Sequence, residues 1–331
     1  MASIKDVALK AGVSISTVSR MMAGTGYVSD ETRERVQAAV TELGYRPNRI
    51  AQSLREQRSR IIGLVVSDIQ NPFFGELCRA VEACAHAQGL CVFICNTDED
   101  PAKEQRFLNL MIQERVAGII ISPSHQGAAR LATLTAEGIP VVTVDRREGR
   151  LLDAVLIDNQ DAARQLTARV LRGGYERIAG IFGAHSFTAE ERLKGFDAAL
   201  EEAGRTAHRV VRTPAFEAEG RAAMESLLGD PVPPDAVICS SALLATGAYR
   251  ALHQAGLTLP DDFGFACFDD PGWATFVTPA LTVIRQPAAL IGESATELLL
   301  KRIADPKRAP SVLHLQGELI ERGSLRQRPR A

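Results

Sequence analysis

The sequence predicts an α/β protein: a small all-α domain followed by a two-lobed body of parallel, doubly wound sheets. Three observations carry this reading. The first sixty residues show helical spacing of apolar positions and no strand pattern. From Ile61 onward, short apolar runs alternate with helical patterns, the signature of parallel sheets with helices on both faces. These runs number about eleven, more than one open sheet usually holds, so two lobes follow. The length of 331 residues fits, being too great for one ordinary core.

The head is built in order. Ile4, Val7, Ala8 and Ala11 share a helix face, and Gly12 ends that helix. Ser14 is placed to cap a second helix, Ile15–Met22, with Ala8 small enough for a close crossing and Val18 filling the angle. The result is helix, tight turn, helix. Ser16 and Arg20 lie four residues apart, on one outer face of the second helix, where they reach base edges if that helix enters a major groove. Thr17 and Ser19 are candidates for phosphate contacts. A third helix starts from a Ser29 cap with Asp30 and Glu31 in its first turn, buries Val36, Ala39, Val40 and Leu43, and stops at Gly44. Asn48–Leu54 is a short helical stretch, and Arg55–Arg60 a polar linker. Residues 1–60 hold ten Lys and Arg against six acids, a charge of +4 in a chain whose net charge is −2. A basic head on an acidic body suits a polyanionic partner for the head.

In the body, the expected strands include Ile61–Val66, Leu90–Cys95, Ala117–Ile121, Pro140–Val144, Ala154–Ile157, Ile178–Phe182, Ala236–Cys239, Gly264–Phe268 and Leu281–Ile284. Helical patterns between them include Phe74–Gln88, Lys103–Arg115, Gln160–Arg172, Thr188–Ala203 and Leu243–Ala255. In such folds ligands bind beyond the carboxyl ends of the strands. Those ends carry Ser67–Phe74, Asp145-Arg146-Arg147, Asp158-Asn159, Ser240-Ser241, Phe268–Trp273 and Arg285-Gln286-Pro287, with Arg192 in a nearby helix. Carboxylates, guanidiniums and flat aromatic faces together are what a polyhydroxylated ligand needs.

The run IKDVALKAGVSISTVSR, followed by VSDETRERV, ELGYRPN and NRIAQSL, resembles the lac repressor/gal repressor family in order and spacing. The remainder, from Ile61 to Gly323, is similar to the ribose-type periplasmic binding proteins that supply this family's core, through VSDIQNPFF, VAGIIISP, PVVTVDR, ERLKGF, GFACFDD and PALTVIRQP. The resemblance implies a sequence-specific DNA-binding regulator, expected to repress carbohydrate genes under control of a sugar, sugar acid or sugar phosphate. A regulator answering to another metabolite such as a purine, and a sugar-binding protein that does not touch DNA, are the alternatives. It implies three domains: residues 1–46 as the helix-turn-helix, 47–60 as hinge helix and linker, and 61–331 as the effector-binding and dimerisation core. Within the core, the N-lobe spans about 61–158 and 287–317, and the C-lobe about 159–286 and 318–331. The chain would cross between lobes three times, near Asp158, Gln286 and residue 317.

By the same resemblance, Ile15, Ser16 and Arg20 read major-groove bases, while Asn48, Ala51 and Leu54 belong to a hinge helix pressed into the minor groove. Leu54 stands where the family wedges a leucine between base steps, unstacking offset by contacts to bent DNA. The implied effector contacts are Asn71, Phe73, Phe74, Asp145, Arg146, Arg192, Ser241, Asp269 and Gln286. Trp273 is expected against the ligand or as a hydrophobic lid. Ser241 departs from the family pattern, standing where members that bind plain sugars carry an Asn, which removes an amide that binds hydroxyls. Effector closure rotates one lobe on the other. A homodimer on a near-palindromic operator is expected, and the absence of leucine heptads in ERGSLRQRPRA makes a coiled-coil tetramer unexpected.

Other classes find little support. No GxGxxG after a strand, GxxxxGK[ST], HExxH or GxSxG occurs, so no catalytic residue and no cofactor is expected. The neighbouring Asp269 and Asp270 are expected on an extended segment, where they would point to opposite sides, which is poor for paired catalysis. Six histidines form no spaced cluster, and Cys78, Cys84, Cys91 and Cys95 form no CxxC, so they are expected as reduced thiols rather than metal ligands. No run reaches the roughly 18 apolar residues of a membrane span, and MASIKDVALK has no apolar signal region, so a cytoplasmic location is expected.

Overall fold

The computed structural model describes residues 2–23, 27–45, 59–148, 151–184 and 186–327. Two compact units divide the chain, Met1–Ser59 and Arg60–Ala331. The predicted hinge residues Asn48, Ala51 and Leu54 lie outside the described residues.

The first unit contains α1 (Ile4–Ala11), α2 (Ile15–Ala23) and α3 (Asp30–Glu42). A capping box opens α1: Asp6 N donates to Ser3 Oγ at 3.4 Å while Ser3 N donates to Asp6 Oδ2 at 2.8 Å. Gly12, at φ 65°, ends it. That left-handed backbone suits a residue without a Cβ, and it lets Val13 N reach Ala8 O at 3.0 Å. Ser14 Oγ then accepts from Thr17 N at 3.1 Å, fixing the start of α2 one turn later. Ser29 caps α3 in the same way, through Thr32 N. Val7, Ala8, Ala11, Val18, Val36 and Ala39 form the core, with Val18 fully buried between the helices.

The second unit holds two six-stranded sheets. The first contains β1 (Ile61–Val66), β2 (Cys91–Asn96), β3 (Gly118–Ile121), β4 (Val141–Val144), β5 (Asp153–Ile157) and β11 (Val312–Leu315), in the order β11-β5-β4-β3-β1-β2, all parallel. The second contains β6 (Ile178–Gly183), β7 (Arg209–Thr213), β8 (Ala236–Cys239), β9 (Gly264–Phe268), β10 (Thr282–Arg285) and β12 (Glu318–Ile320), in the order β12-β10-β9-β8-β6-β7. Here β12 alone runs antiparallel, against β10. The chain crosses between sheets after Ile157, after Arg285 and after Leu315. Strands buried on both faces read as near-continuous apolar runs, as IIGLVV and GFACF do.

Eight helices cover these sheets among the described residues: α4 (Pro72–Ala87), α5 (Pro101–Gln113), α6 (Ala128–Ala136), α7 (Asn159–Arg172), α8 (Phe187–Glu202), α9 (Glu217–Leu228), α10 (Ala242–Gln254) and α11 (Ala288–Ala304). The helix expected to begin at Phe74 begins at Pro72, because proline fits the first helical position and Asn71 caps it. Three pairs pack at very close range. An added Cβ on Gly195 of α8 would fall on the Gln160 carbonyl of α7, and one on Gly247 of α10 on the Glu217 carbonyl of α9. On Gly292 of α11 it would lie 2.8 Å from the Leu77 carbonyl of α4.

The C-terminal segment is pinned by charge. Both Asp270 oxygens accept from Arg322 at 2.7 Å, and Oδ2 also accepts from Arg285 at 2.5 Å. Burial works to raise the Asp270 pKa, but the hydrogen bonds from Arg322 and Arg285 outweigh it and hold the carboxyl below its usual range.

Gly247→Val should lower stability by about 1–3 kcal/mol or more, read from urea unfolding, since the backbone it meets cannot rotate away. An unchanged midpoint would show that the helix pair tolerates separation. Asp270 is depressed in the folded state, so it stabilises above its unfolded pKa of about 3.9 and loses that contribution as pH falls through the lower folded value. Asp270→Asn should therefore flatten the fall of the thermal midpoint in acid, and a parallel curve would mean the pair contributes nothing.

Candidate functional site

In the first unit, α2 presents Ile15, Ser16 and Arg20 on its exposed face, while Thr17 and Ser19 are half-buried. Ser14 Oγ bridges Ser16 Oγ at 2.7 Å and Thr17 Oγ1 at 2.8 Å. Arg20 Nε donates to the Ser16 backbone O at 3.4 Å, which lays the guanidinium back along the helix surface. This is a compact donor and acceptor set of the kind that reads base edges.

In the second unit, a cavity of about 290 Å³ opens where the carboxyl ends of both sheets meet. From the first sheet come Ser67 and Asp68 after β1, Asp98 and Glu99 after β2, His125 after β3, and Asp145 and Arg146 after β4. The start of α4 adds Asn71, Phe73 and Phe74. Asn71 Oδ1 accepts from Phe73 N at 3.1 Å, and the two phenyl rings meet edge to face at 5.0 Å. From the second sheet come Ala184, Ser186, Thr188 and Arg192 around the start of α8, Ala215 and Phe216 after β7, Ser240 and Ser241 after β8, Asp269 after β9 and Gln286 after β10. The cavity therefore gathers nine of the ten predicted effector residues. The tenth, Trp273, is not brought to it. Its ring lies 5.4 Å from Tyr249 and packs against the core of the second sheet. Phe216, which is 41% exposed, supplies an aromatic wall instead.

The charged groups are buried and tightly bonded. Arg192 Nε donates to Asn159 Oδ1 at 2.7 Å and Nη1 to Ser240 O at 2.6 Å, while its guanidinium stacks 4.1 Å from the Phe268 ring. Among the described residues its buried Nη2 has no hydrogen-bond partner. Burial pushes the Arg192 pKa down, only partly offset by Asp269 and Asp145. Asp269 Oδ1 accepts from Gln286 Nε2 at 2.6 Å, and Oδ2 from Ala242 N at 2.9 Å. Burial drives the Asp145 pKa up against the opposing pull of Arg146 and Arg192. Asp145 and Asp269 both sit at left-handed φ, 63° and 69°. That backbone is costly for residues with a Cβ, and it aims the carboxylates where the strands end.

Ser241 caps α10, its Oγ accepting from Leu244 N at 3.5 Å, so its hydroxyl is partly committed to the helix. Glu99, Asp68, Phe216 and the Asn159 that orients Arg192 were not singled out as contacts from the sequence. Asp68 and Asn159 stood inside strand-end loops already flagged, whereas Phe216 follows β7, an edge strand whose weak pattern hid it. Five carboxylates (Asp68, Asp98, Glu99, Asp145 and Asp269) face two guanidiniums in the lining. Among the described residues no group of three or more His, Cys, Asp or Glu is placed to hold a metal ion, and no helix is long and apolar enough to cross a membrane.

A helix-turn-helix unit in one chain with a two-sheet unit that encloses a polar cavity defines a ligand-responsive transcription regulator. Residues 3–48 match the bacterial regulatory proteins of the lacI family, and residues 59–322 match the periplasmic binding proteins and sugar binding domain of the LacI family. The chain belongs to the LacI family and is a DNA-binding transcriptional regulator. The ribose operon repressor of Halalkalibacterium halodurans is 38% identical over 304 residues, covering 92% of this chain and 91% of that one. The HTH-type transcriptional repressor PurR of Pectobacterium carotovorum is 35% identical, over 99% and 98% of the two chains. Among solved structures, the lac repressor dimer bound to operator and the anti-inducer ONPF superposes with a TM-score of 0.88 at 25% identity, over 98% of this chain and 99% of that one. These relatives are transcriptional repressors.

Proposed function

We infer that this chain represses carbohydrate genes and that a sugar bound among Asp145, Arg146, Arg192, Asp269 and Gln286 sets its affinity for DNA. The observation that carries the reading is the buried Arg192 Nη2, a donor without a partner among the described residues, in a cavity rich in carboxylate acceptors and aromatic faces. A hydroxyl both accepts and donates, so a polyol meets such donors and acceptors together. A flat purine offers fewer such groups, and the ribose operon repressor relative points the same way as the chemistry. The domains divide the work: residues 1–46 read operator bases through Ile15, Ser16 and Arg20 and hold the phosphates through Thr17 and Ser19, residues 47–60 act as the hinge, and residues 61–331 bind effector and dimerise.

The reading includes a cytoplasmic homodimer on a near-palindromic operator, with no catalysis. The edge strand β2 supports dimerisation: Phe93 and Ile94, together with Leu110 of α5, are each more than 40% exposed. An uncovered apolar edge is a liability that a second copy removes.

A thermal-shift screen of the full chain against pentoses, hexoses, sugar acids, sugar phosphates and purines tests the effector. A true effector stabilises by about 2.7 kcal/mol at a hundredfold excess over its Kd. Arg192→Met should abolish that shift, and a retained shift would place the ligand elsewhere. A purine as the sole hit would replace the sugar. Arg20→Ala should weaken operator binding by about 1–3 kcal/mol and relax preference at one base position, in a gel shift on DNA upstream of the chain's own gene. An unchanged affinity and footprint would remove Arg20 from base reading.

A further inference from the structure

The two arginines of the cavity suggest at first an anionic ligand, since guanidinium matches phosphate and carboxylate geometry. Their partners argue otherwise. All three nitrogens of Arg146 are committed. Nη1 donates to Glu99 Oε2 at 2.6 Å and to Pro123 O at 3.5 Å, Nη2 donates to Glu99 Oε1, and Nε donates to Asp145 Oδ2 at 3.2 Å. The Glu99 contact is a two-toothed ion pair, the arrangement a ligand carboxylate or phosphate would itself adopt. Glu99 follows β2 in a turn where both it and Asp98 take left-handed φ, 60° and 53°. The backbone is thus bent to deliver this carboxylate to Arg146, which is 8% exposed. Arg192 gives Nε to Asn159 and one Nη1 hydrogen to Ser240 O, so its Nε–Nη2 fork is already broken and Nη2 is its one nitrogen without a partner among the described residues.

We propose that Glu99 is a specificity-determining residue: by occupying the guanidinium fork of Arg146 it acts as a built-in anion, so that the cavity takes neutral sugars and excludes their phosphorylated or carboxylate forms. The proposal rests on the sugar reading above and sharpens it. An incoming phosphate would have to displace Glu99 from Arg146 and then sit among the remaining carboxylates, in a site where low dielectric strengthens every repulsion. A neutral hydroxyl needs neither step.

Isothermal titration of the full-length chain with matched pairs tests this. The pairs are D-ribose with D-ribose 5-phosphate, and D-glucose with both D-glucose 6-phosphate and D-gluconate. In the wild type, the neutral member of a bound pair should bind at least about tenfold more tightly than its anionic partner, a difference of about 1.4 kcal/mol. In Glu99→Gln, the ratio of anionic to neutral affinity should rise by about tenfold or more, whichever way the neutral affinity itself moves. Glu99→Asp keeps the charge and should retain a ratio close to that of the wild type. A merely structural role would change both affinities together and leave the ratio fixed in every variant, which overturns the proposal. So does a wild type that prefers an anionic member, a result readable even if Glu99→Gln does not fold. Failure of the wild type to bind any member of either pair would bring down the sugar reading and the proposal together. Neutral binding with a fixed ratio would bring down the proposal alone.

Discussion

Two arginines and two aspartates buried where the carboxyl ends of the two sheets meet are the constraint around which the second unit is arranged. Buried charge is tolerated only when paired and hydrogen-bonded. Each member here has dedicated partners: Glu99 and Asp145 for Arg146, Asn159 and Ser240 for Arg192, Gln286 and Ala242 N for Asp269. Those partners come from different strands and from both sheets, so the cluster exists only when the sheets are correctly ordered. The three chain crossings supply that order. The last two also bring Gln286 to the cavity and Arg322 to Asp270.

The helix pairs serve the same end by mechanical means. Gly195 lets α8 lie directly against α7, and this places Arg192 of α8 within reach of Asn159 at the start of α7. Gly247 does the same for α9 and α10, whose starts carry Phe216 and Ser241 to the cavity. Close packing at the helix crossings is thereby converted into position at the binding site. Rigid elements hold a site more closely than loops do.

Much of this was legible in the sequence because local chemistry and fold agreed. Ser14, Ser29 and Gly12 announced the ends of the helices, and the structure uses each for that purpose. Continuous apolar runs announced strands buried on both faces, and polar residues immediately after them announced the cavity. Legibility failed where those signals weaken. The strand Arg209–Thr213 lies at a sheet edge, half-exposed and interrupted by arginines, so it and the Phe216 that follows escaped notice. Glu99 escaped because an acid just before a helix reads as an N-terminal charge; only the positive φ and the Arg146 contact reveal its aim. Trp273 misled because it follows the Asp269–Asp270 pair, whereas the short helix Gly272–Thr275 turns its ring onto Tyr249.

Control of DNA binding by a ligand requires that the cavity and the helix-turn-helix unit be energetically coupled. Fluorescence anisotropy of a labelled operator fragment, titrated with the sugar that stabilises the chain, measures that coupling directly. Linkage requires reciprocity: the factor by which sugar changes operator affinity must equal the factor by which operator changes sugar affinity. Such coupling predicts equal factors of about 5–150 fold, in whichever direction the sugar acts. A sugar that binds the chain while leaving operator affinity unchanged would contradict it.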